Sequence, residues 1–155
     1  EEALAAALAN CALHPSLRPA FAAAPVATLS PLLDLIVDQS GKQTAAAKAF
    51  ALGAMMNATL ETSHEVRKFI AEKERLFSLV NIAIEQQQMG ESCNQFILSR
   101  SMGLLSRVLV HPLAQTNFLE HDKGFDFFLE LVIQDSKAGD GGGQGAAAAD
   151  GTAAA

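Results

Sequence analysis

One stretch of eight residues occurs twice in this chain and decides how the rest of it is interpreted. It reads His14-Pro15-Ser16-Leu17-Arg18-Pro19-Ala20-Phe21 at its first occurrence and His111-Pro112-Leu113-Ala114-Gln115-Thr116-Asn117-Phe118 at its second. Between them lies the related stretch Thr62-Ser63-His64-Glu65-Val66-Arg67-Lys68-Phe69, in which Thr-Ser replaces His-Pro. The three starts, at residues 14, 62 and 111, are 48 and 49 residues apart. A regular spacing of this length is typical of a repeat protein.

Apolar residues at helical spacing lie on both sides of each copy. Such runs precede the copies at Leu4–Leu13, Ala45–Leu60 and Phe96–Val110, and others follow at Leu29–Val37, Leu76–Ile84 and Phe125–Ile133. Residues that favour helices dominate, and the alternation typical of strands is absent. The sequence therefore predicts an all-α fold with longer helices near residues 1–13, 44–60 and 94–110. About three helical repeats would stack as a solenoid.

Local signals place the ends of the predicted helices. Pro15 and Pro112 suit the first position of a helix, where no backbone hydrogen bond is lost. Thr62 and Glu65 form a capping-box pattern in the middle copy. Ser30-Pro31 is expected to start a further helix. Predicted breaks between helices fall at Gly41, Gly90 and Gly124.

Length and composition predict one domain and a tail. The chain has 155 residues, which suits a single domain with its own core. From Lys137 to Ala155 it holds six of its eleven glycines and no large apolar side chain. We expect a helical repeat domain over residues 1–136 and a flexible tail or linker over residues 137–155, because such a segment cannot offset the entropy of ordering. Since residue 1 is Glu, the chain is expected to be a piece of a longer one.

Charge and cysteine usage exclude several classes of partner. The formal net charge is −6, and no cluster of Lys and Arg is present that could bind nucleic acid. No apolar run is long enough to span a membrane. The two cysteines, Cys11 and Cys93, lie inside apolar helical patterns and are expected to be buried as thiols. That usage predicts a reducing, cytoplasmic compartment.

Chemistry-bearing residues form no catalytic pattern. Three of the four histidines lie at or beside the repeated turn, and His64 and His121 are interpreted as solvated helix caps. No phosphate-binding loop, activated nucleophile or metal-ligand spacing is present. We therefore predict a protein that is not an enzyme, with no cofactor, no metal site and no small-molecule substrate.

The predicted long helices resemble the third helix of the armadillo repeat. Leu8-Ala9-Asn10-Cys11-Ala12 and Met55-Met56-Asn57-Ala58-Thr59 match its Asn-containing motif, and Leu104-Leu105-Ser106-Arg107-Val108 matches the frame with Ser for Asn. The resemblance covers residues 1–136 and implies a right-handed α-solenoid, with the related HEAT repeat as the alternative. The spacings of 48 and 49 residues exceed the usual armadillo unit by several residues.

The armadillo resemblance implies a binding groove lined by the third helices. In that family the Asn side chains hold the backbone of an extended peptide, which here assigns the role to Asn10 and Asn57, with Ser106 and Arg107 as a third rung. The alternative is that these side chains only satisfy carbonyls between neighbouring helices. The Trp that import adaptors of this family carry is missing, so basic localisation peptides are not expected as ligands. Its positions hold Ala6, Gly53 and Met102.

Two further features suggest partners. Ala12-Leu13-His14-Pro15 and Val110-His111-Pro112 are similar to segments in the armadillo-like domains of myosin chaperones and their tetratricopeptide-containing relatives. Phe125, Phe127 and Phe128 cover more than one face of the last predicted helix. They are either the packing surface for another repeat or an apolar site for a partner.

Together these patterns predict a non-enzymatic scaffold that binds a protein or peptide through the groove or through the Phe-rich C-terminal end. One alternative is a structural segment of a large cytoskeletal or axonemal assembly, which would place the protein at the cytoskeleton or cilium. The other is a co-chaperone module that acts on a folding client.

Overall fold

The computed structural model describes residues 2–38, 40, 42–60 and 64–140, with the backbone alone for Val132 and residues 134–140. Within these residues the chain is helical and contains no strand, so the predicted all-α class is confirmed. The helices are α1 (Glu2–Leu13), α2 (Arg18–Ala23), α3 (Pro25–Val37), α4 (Ala45–Ala58), α5 (His64–Ala71), α6 (Lys73–Gln88), α7 (Gln95–Val108), α8 (Pro112–Leu119) and α9 (Gly124–Asp140), with a 3₁₀ turn at Gly90–Ser92. Helices α1, α4 and α7 lie where the longer helices are predicted, but α6 with 16 residues and α9 with 17 are longer than α4 and α7, which have 14 each.

Of the three prolines that are expected to start a helix, only Pro112 does so. Pro112 is the first residue of α8, as expected. The expectation for Pro31 is wrong: Pro25 starts α3, and Pro31 lies inside it. Pro15 lies in the turn before α2, which begins at Arg18. Proline has no backbone N–H to donate, which costs nothing at the first position of a helix, where Pro25 lies. Pro31 is the seventh residue of α3 and cannot donate to the carbonyl four residues before it. Gly41 and Thr62 lie outside the described residues.

Helices α4 and α7 begin with side-chain caps at matching places. The Thr44 hydroxyl oxygen accepts a hydrogen bond from the backbone N–H of Ala47 at 3.1 Å. Fifty residues later, the Asn94 side-chain oxygen accepts from the N–H groups of Phe96 and Ile97. Each cap satisfies amides that have no partner within the helix. Ahead of Asn94, Gly90 has a φ of +55°, the left-handed conformation that glycine adopts without strain.

Each helix packs against the helix three places further along the chain. α1 contacts α4 and α4 contacts α7. α2, α5 and α8 follow one another in the same way, as do α3, α6 and α9. In addition, α3 packs on α4, and α6 packs on α7. By these contacts the helices form three rows: a first row of α2, α5 and α8, a second row of α3, α6 and α9, and a third row of α1, α4 and α7.

The apolar core is one continuous cluster that runs through these rows. α4 lies at its centre, where Leu52 and Met55 are fully buried between helices on both sides. Other fully buried large side chains are Leu29, Ile36, Ile70, Leu76, Leu79, Leu104 and Leu105. These side chains come from all three rows, so the rows form a single packed body.

The structure differs from two expectations, one about the cysteines and one about where the tail begins. Burial of both cysteines is wrong, because Cys11 is exposed and Cys93 is half-buried. Cys11 lies on α1, which packs against α4 on one side only. The predicted tail starts at Lys137, whereas α9 runs on to Asp140; residues 141–155 lie outside the described part of the chain.

Candidate interaction surfaces

Asn57 lies half-buried on α4, on the side that faces α1. Its side-chain Nδ2 donates a hydrogen bond to the backbone carbonyl of Ala9 at 3.3 Å. Ala9 precedes Asn10, which is the matching Asn in α1. The carboxamide predicted to hold a peptide therefore joins two neighbouring third-row helices through one of its donors.

Arg107 makes the corresponding contact one helix further along. Its Nη1 donates to the carbonyl of Met56 at 2.7 Å, and Met56 precedes Asn57. Seven residues earlier on α7, Arg100 donates from Nη1 to the carbonyl of Ala49 at 2.6 Å. Sequence reasoning missed Arg100, although its distance of two helical turns from Arg107 places both on one face. A pair of charged hydrogen bonds thus joins α7 to α4.

The other two residues predicted to line the groove are Asn10 and Ser106. The structure describes no hydrogen bond from either side chain to a neighbouring helix. Asn10 is exposed on α1. Ser106 is exposed on α7, and its hydroxyl donates to the carbonyl of Gly103 in its own helix at 2.9 Å. The four predicted residues therefore lie along one row of helices. Two of them hold that row together.

A second set of side-chain hydrogen bonds caps the C-terminal end of each third-row helix. Arg18 donates to the carbonyls of Ala12 and Leu13. Arg67 donates to the carbonyl of Thr59 at 3.0 Å, and Gln115 to that of Leu109 at 2.9 Å. Residues 18, 67 and 115 are 49 and 48 apart. Arg18 and Gln115 are the fifth residues of their copies of the repeated stretch, and Arg67 is the sixth residue of its copy. Each satisfies carbonyls that a helix leaves unbonded at its last turn.

The Phe-rich end divides into a buried and an exposed part. Phe127 is only 7% exposed and belongs to the core, so it is not available to a partner. Phe128 is half-buried and packs edge-on against Phe118, with ring centroids 5.1 Å apart. Phe125 is 56% exposed. With Leu129 and Ile133, at four and eight residues further, it forms an exposed apolar stripe along one face of α9.

A groove lies at the opposite end, between α1 and α3. It encloses about 560 Å³, and its walls include Leu4, Leu8, Leu32 and Leu35. Asp34, Asp38 and Lys42 lie on its rim. The N–H and hydroxyl of Ser40 donate to the Asp38 carboxylate and lower the pKa of that side chain. We refer to this feature as the α1–α3 groove.

The side chains of His111 and His121 make hydrogen bonds and ring contacts inside the protein. The expectation that His121 is solvated is wrong: the side chain is buried, its Nε2 lies 3.1 Å from Oδ1 of Asn81, and its ring packs edge-on against Phe77. His111 accepts the backbone N–H of Leu113 through Nδ1 at 3.2 Å and so caps α8. Its ring lies 4.8 Å from that of His64. Burial, followed by the nearby charges of His64, Lys68 and Arg67, lowers the pKa of His111.

Within the described part of the chain, no group of His, Cys, Asp or Glu side chains is arranged to hold a metal ion. None of the described helices combines the length and the apolar character that crossing a bilayer requires. Comparisons with protein-family models, with curated proteins and with solved structures gave no match.

Proposed function

We propose that the chain is a protein-interaction module without enzymatic activity, built as an armadillo-like, right-handed solenoid from units of three helices. Three rows of helices in which each helix contacts the third one along support this arrangement. The side-chain bonds from Asn57 to α1 and from Arg107 to α4 recur at matching places, which supports a repeated joint between units.

The main observation that supports a binding function is the exposed apolar stripe on α9. Phe125, Leu129 and Ile133 form a row of apolar side chains about two turns long on a helix whose other face is in the core. Leu119, at the end of α8, is also exposed. Contiguous exposed apolar surface of this kind marks interaction sites, and a straight row on a helix suits an amphipathic helix as the partner.

The groove lined by the third-row helices is the weaker candidate surface. Asn57 and Arg107 already donate to carbonyls of neighbouring helices, which favours the alternative role that the sequence left open for them. A peptide in this groove would meet Asn10 and Ser106 as exposed polar groups. We therefore assign partner binding to the α9 stripe.

A displayed library of amphipathic helical peptides tests this assignment. Peptides selected on the unaltered protein should bind the variant Leu129→Asp at least roughly tenfold more weakly, because an aspartate would be desolvated in the middle of the contact. Leu113→Asp is the matched control: Leu113 is also an exposed leucine, but it lies on α8 and is not part of the α9 stripe. Equal binding to all three proteins would contradict the assignment, and so would peptides that respond only to Asn57→Ala.

A further inference from the structure

A cleft lies between the first halves of α4 and α7, two third-row helices that pack against each other. Its apolar walls include Ala46 and Phe50 from α4 and Phe96 from α7, and the Arg100 side chain lines it as well. The cleft encloses about 290 Å³. Pockets for small molecules usually enclose about 300–1,000 Å³, so this one suits a single inserted side chain better than a whole cofactor. We refer to it as the α4–α7 cleft.

Phe96 presents most of its ring to solvent at this cleft, with 71% of the residue exposed. The exposure belongs to the position and not to the helices that follow α7. Phe96 is the second residue after the Asn94 cap, and Ala46 is the second residue after the Thr44 cap of α4. Ala46 is exposed as well, although α4 packs between α1 and α7. This place on a third-row helix therefore faces solvent even where both neighbouring helices are present.

Contacts within the protein hold Arg100 beside the cleft. Its Nη1 donates to the Ala49 carbonyl at 2.6 Å, and its Cζ lies 5.6 Å from the centre of the Phe50 ring. Gly53 leaves room for the guanidinium, since a Cβ added there would lie 3.3 Å from Nη1. Arginine has five N–H donors, so the bond to Ala49 leaves others that can bind a carboxylate.

The local charge at the cleft is opposite to that of the whole chain. α4 and α7 carry three cationic side chains and no Asp or Glu, whereas the net charge of the chain is −6. On α6, Lys73 is paired with the carboxylate of Glu120 at 2.7 Å. Among the described residues, no carboxylate lies within ion-pair distance of Arg100 or Arg107. Two arginines without a carboxylate partner make an acidic ligand complementary to this surface.

The spacing of the two arginines indicates how an acidic segment would lie. Arg107 follows Arg100 by seven residues, which is about 10 Å along the axis of α7. Three residues of extended chain span about the same length. Two carboxylates that are three residues apart in an extended segment would therefore reach both guanidinium groups.

We propose that the α4–α7 cleft binds an extended acidic segment of a partner protein. One large apolar side chain of the segment inserts between Phe50 and Phe96, while its carboxylates pair with Arg100 and Arg107. The site is separate from the α9 stripe to which the proposed function assigns a helical partner, and it does not depend on the Asn57 carboxamide.

A random library of linear peptides displayed on phage and selected on the unaltered protein tests this site. One class of selected peptides should carry two acidic residues three positions apart, together with a large apolar residue. This class should bind the variant Phe96→Ala at least roughly tenfold more weakly, because the inserted side chain loses one wall of its site. Its affinity should also fall as the salt concentration rises, since the pairing is between partly exposed charges.

Ala46→Glu and Ala46→Gln are a matched pair of variants that isolates the effect of charge. The two new side chains have the same size and start from the same exposed wall of the cleft. A carboxylate in the first turn of α4 also suits the helix dipole, so the fold is retained. The acidic peptides should bind Ala46→Glu at least roughly tenfold more weakly than Ala46→Gln, because only the glutamate repels them. Leu129→Asp is the control and should bind them like the unaltered protein.

Circular dichroism of every variant checks that the helices are intact. Equal binding of the selected acidic peptides to Ala46→Glu and Ala46→Gln would overturn the proposal, and so would a selection in which no peptide depends on Phe96. Peptides that lose binding only with Leu129→Asp would support the α9 stripe and reject the α4–α7 cleft as a second site.

Discussion

His111 shows at the scale of one residue how the repeated turn is built. The sequence predicts that it lies at a turn before a helix, and the structure places its Nδ1 on the backbone N–H of Leu113. The sequence cannot predict that His64 lies 4.8 Å away or that the ring is partly buried, because these depend on how α5 and α8 pack. The cap requires an unprotonated Nδ1.

The charge state of His111 gives a prediction for the pH dependence of stability. Burial and the neighbouring His64, Lys68 and Arg67 lower its pKa in the folded protein below the ordinary value of 6.5. The unfolded chain therefore takes up the proton first, and the stability that the cap contributes is present above pH 6.5 and is lost as the pH falls through the lowered value.

His111→Asn should flatten this dependence, because Asn caps a helix as well as His does but does not titrate. Melting temperatures measured between pH 8 and pH 5.5 should fall less for His111→Asn than for the unaltered protein, with similar values at pH 8. Parallel curves for the two proteins would show that His111 does not titrate on unfolding.

At the scale of elements, the third-row helices show what a sequence pattern reveals and what it omits. The motif places Asn10, Asn57 and Ser106 at matching positions on three helices, with Arg107 one residue further along. Spacing along a chain fixes the face on which a side chain lies, but it does not give the distance to the next helix. The carbonyls of Ala9 and Met56 could therefore not be identified as their partners. Arg100 lies before the residues that the motif matches, so the motif gave no signal for it.

Arg107→Ala should weaken the joint between α7 and α4. It removes a charged donor from the Met56 carbonyl in a half-buried place, and we expect the free energy of unfolding to fall by about 1–3 kcal/mol. Urea unfolding followed by circular dichroism measures the change. The neighbouring substitution Ser106→Ala should change it by less than about 0.5 kcal/mol, since Ser106 is exposed and bonds only within α7. Equal effects of the two substitutions would show that the bond to Met56 does not stabilise the protein.

At the scale of the whole molecule, the sequence predicts the all-α class and the positions of α1, α4 and α7. It does so because period and composition are properties of each segment alone. The burial of Phe127, the exposure of Cys11 and the α1–α3 groove depend on which helices pack against one another. A local pattern of apolar residues does not contain that information, so it could not separate core from surface at these positions.

The stacking of units in a line is tested most directly by distances between equivalent positions. Ser16, Glu65 and Leu113 are all exposed and are 49 and 48 residues apart at the starts of the three first-row segments. Nitroxide labels on pairs of these residues, in a protein with Cys11 and Cys93 replaced by Ser, report their separations by electron paramagnetic resonance. Helices packed side by side are about 10 Å apart, so a line predicts about 10 Å for each neighbouring pair and about 20 Å between residues 16 and 113. Three nearly equal distances would mean a closed bundle and would contradict the stacked units.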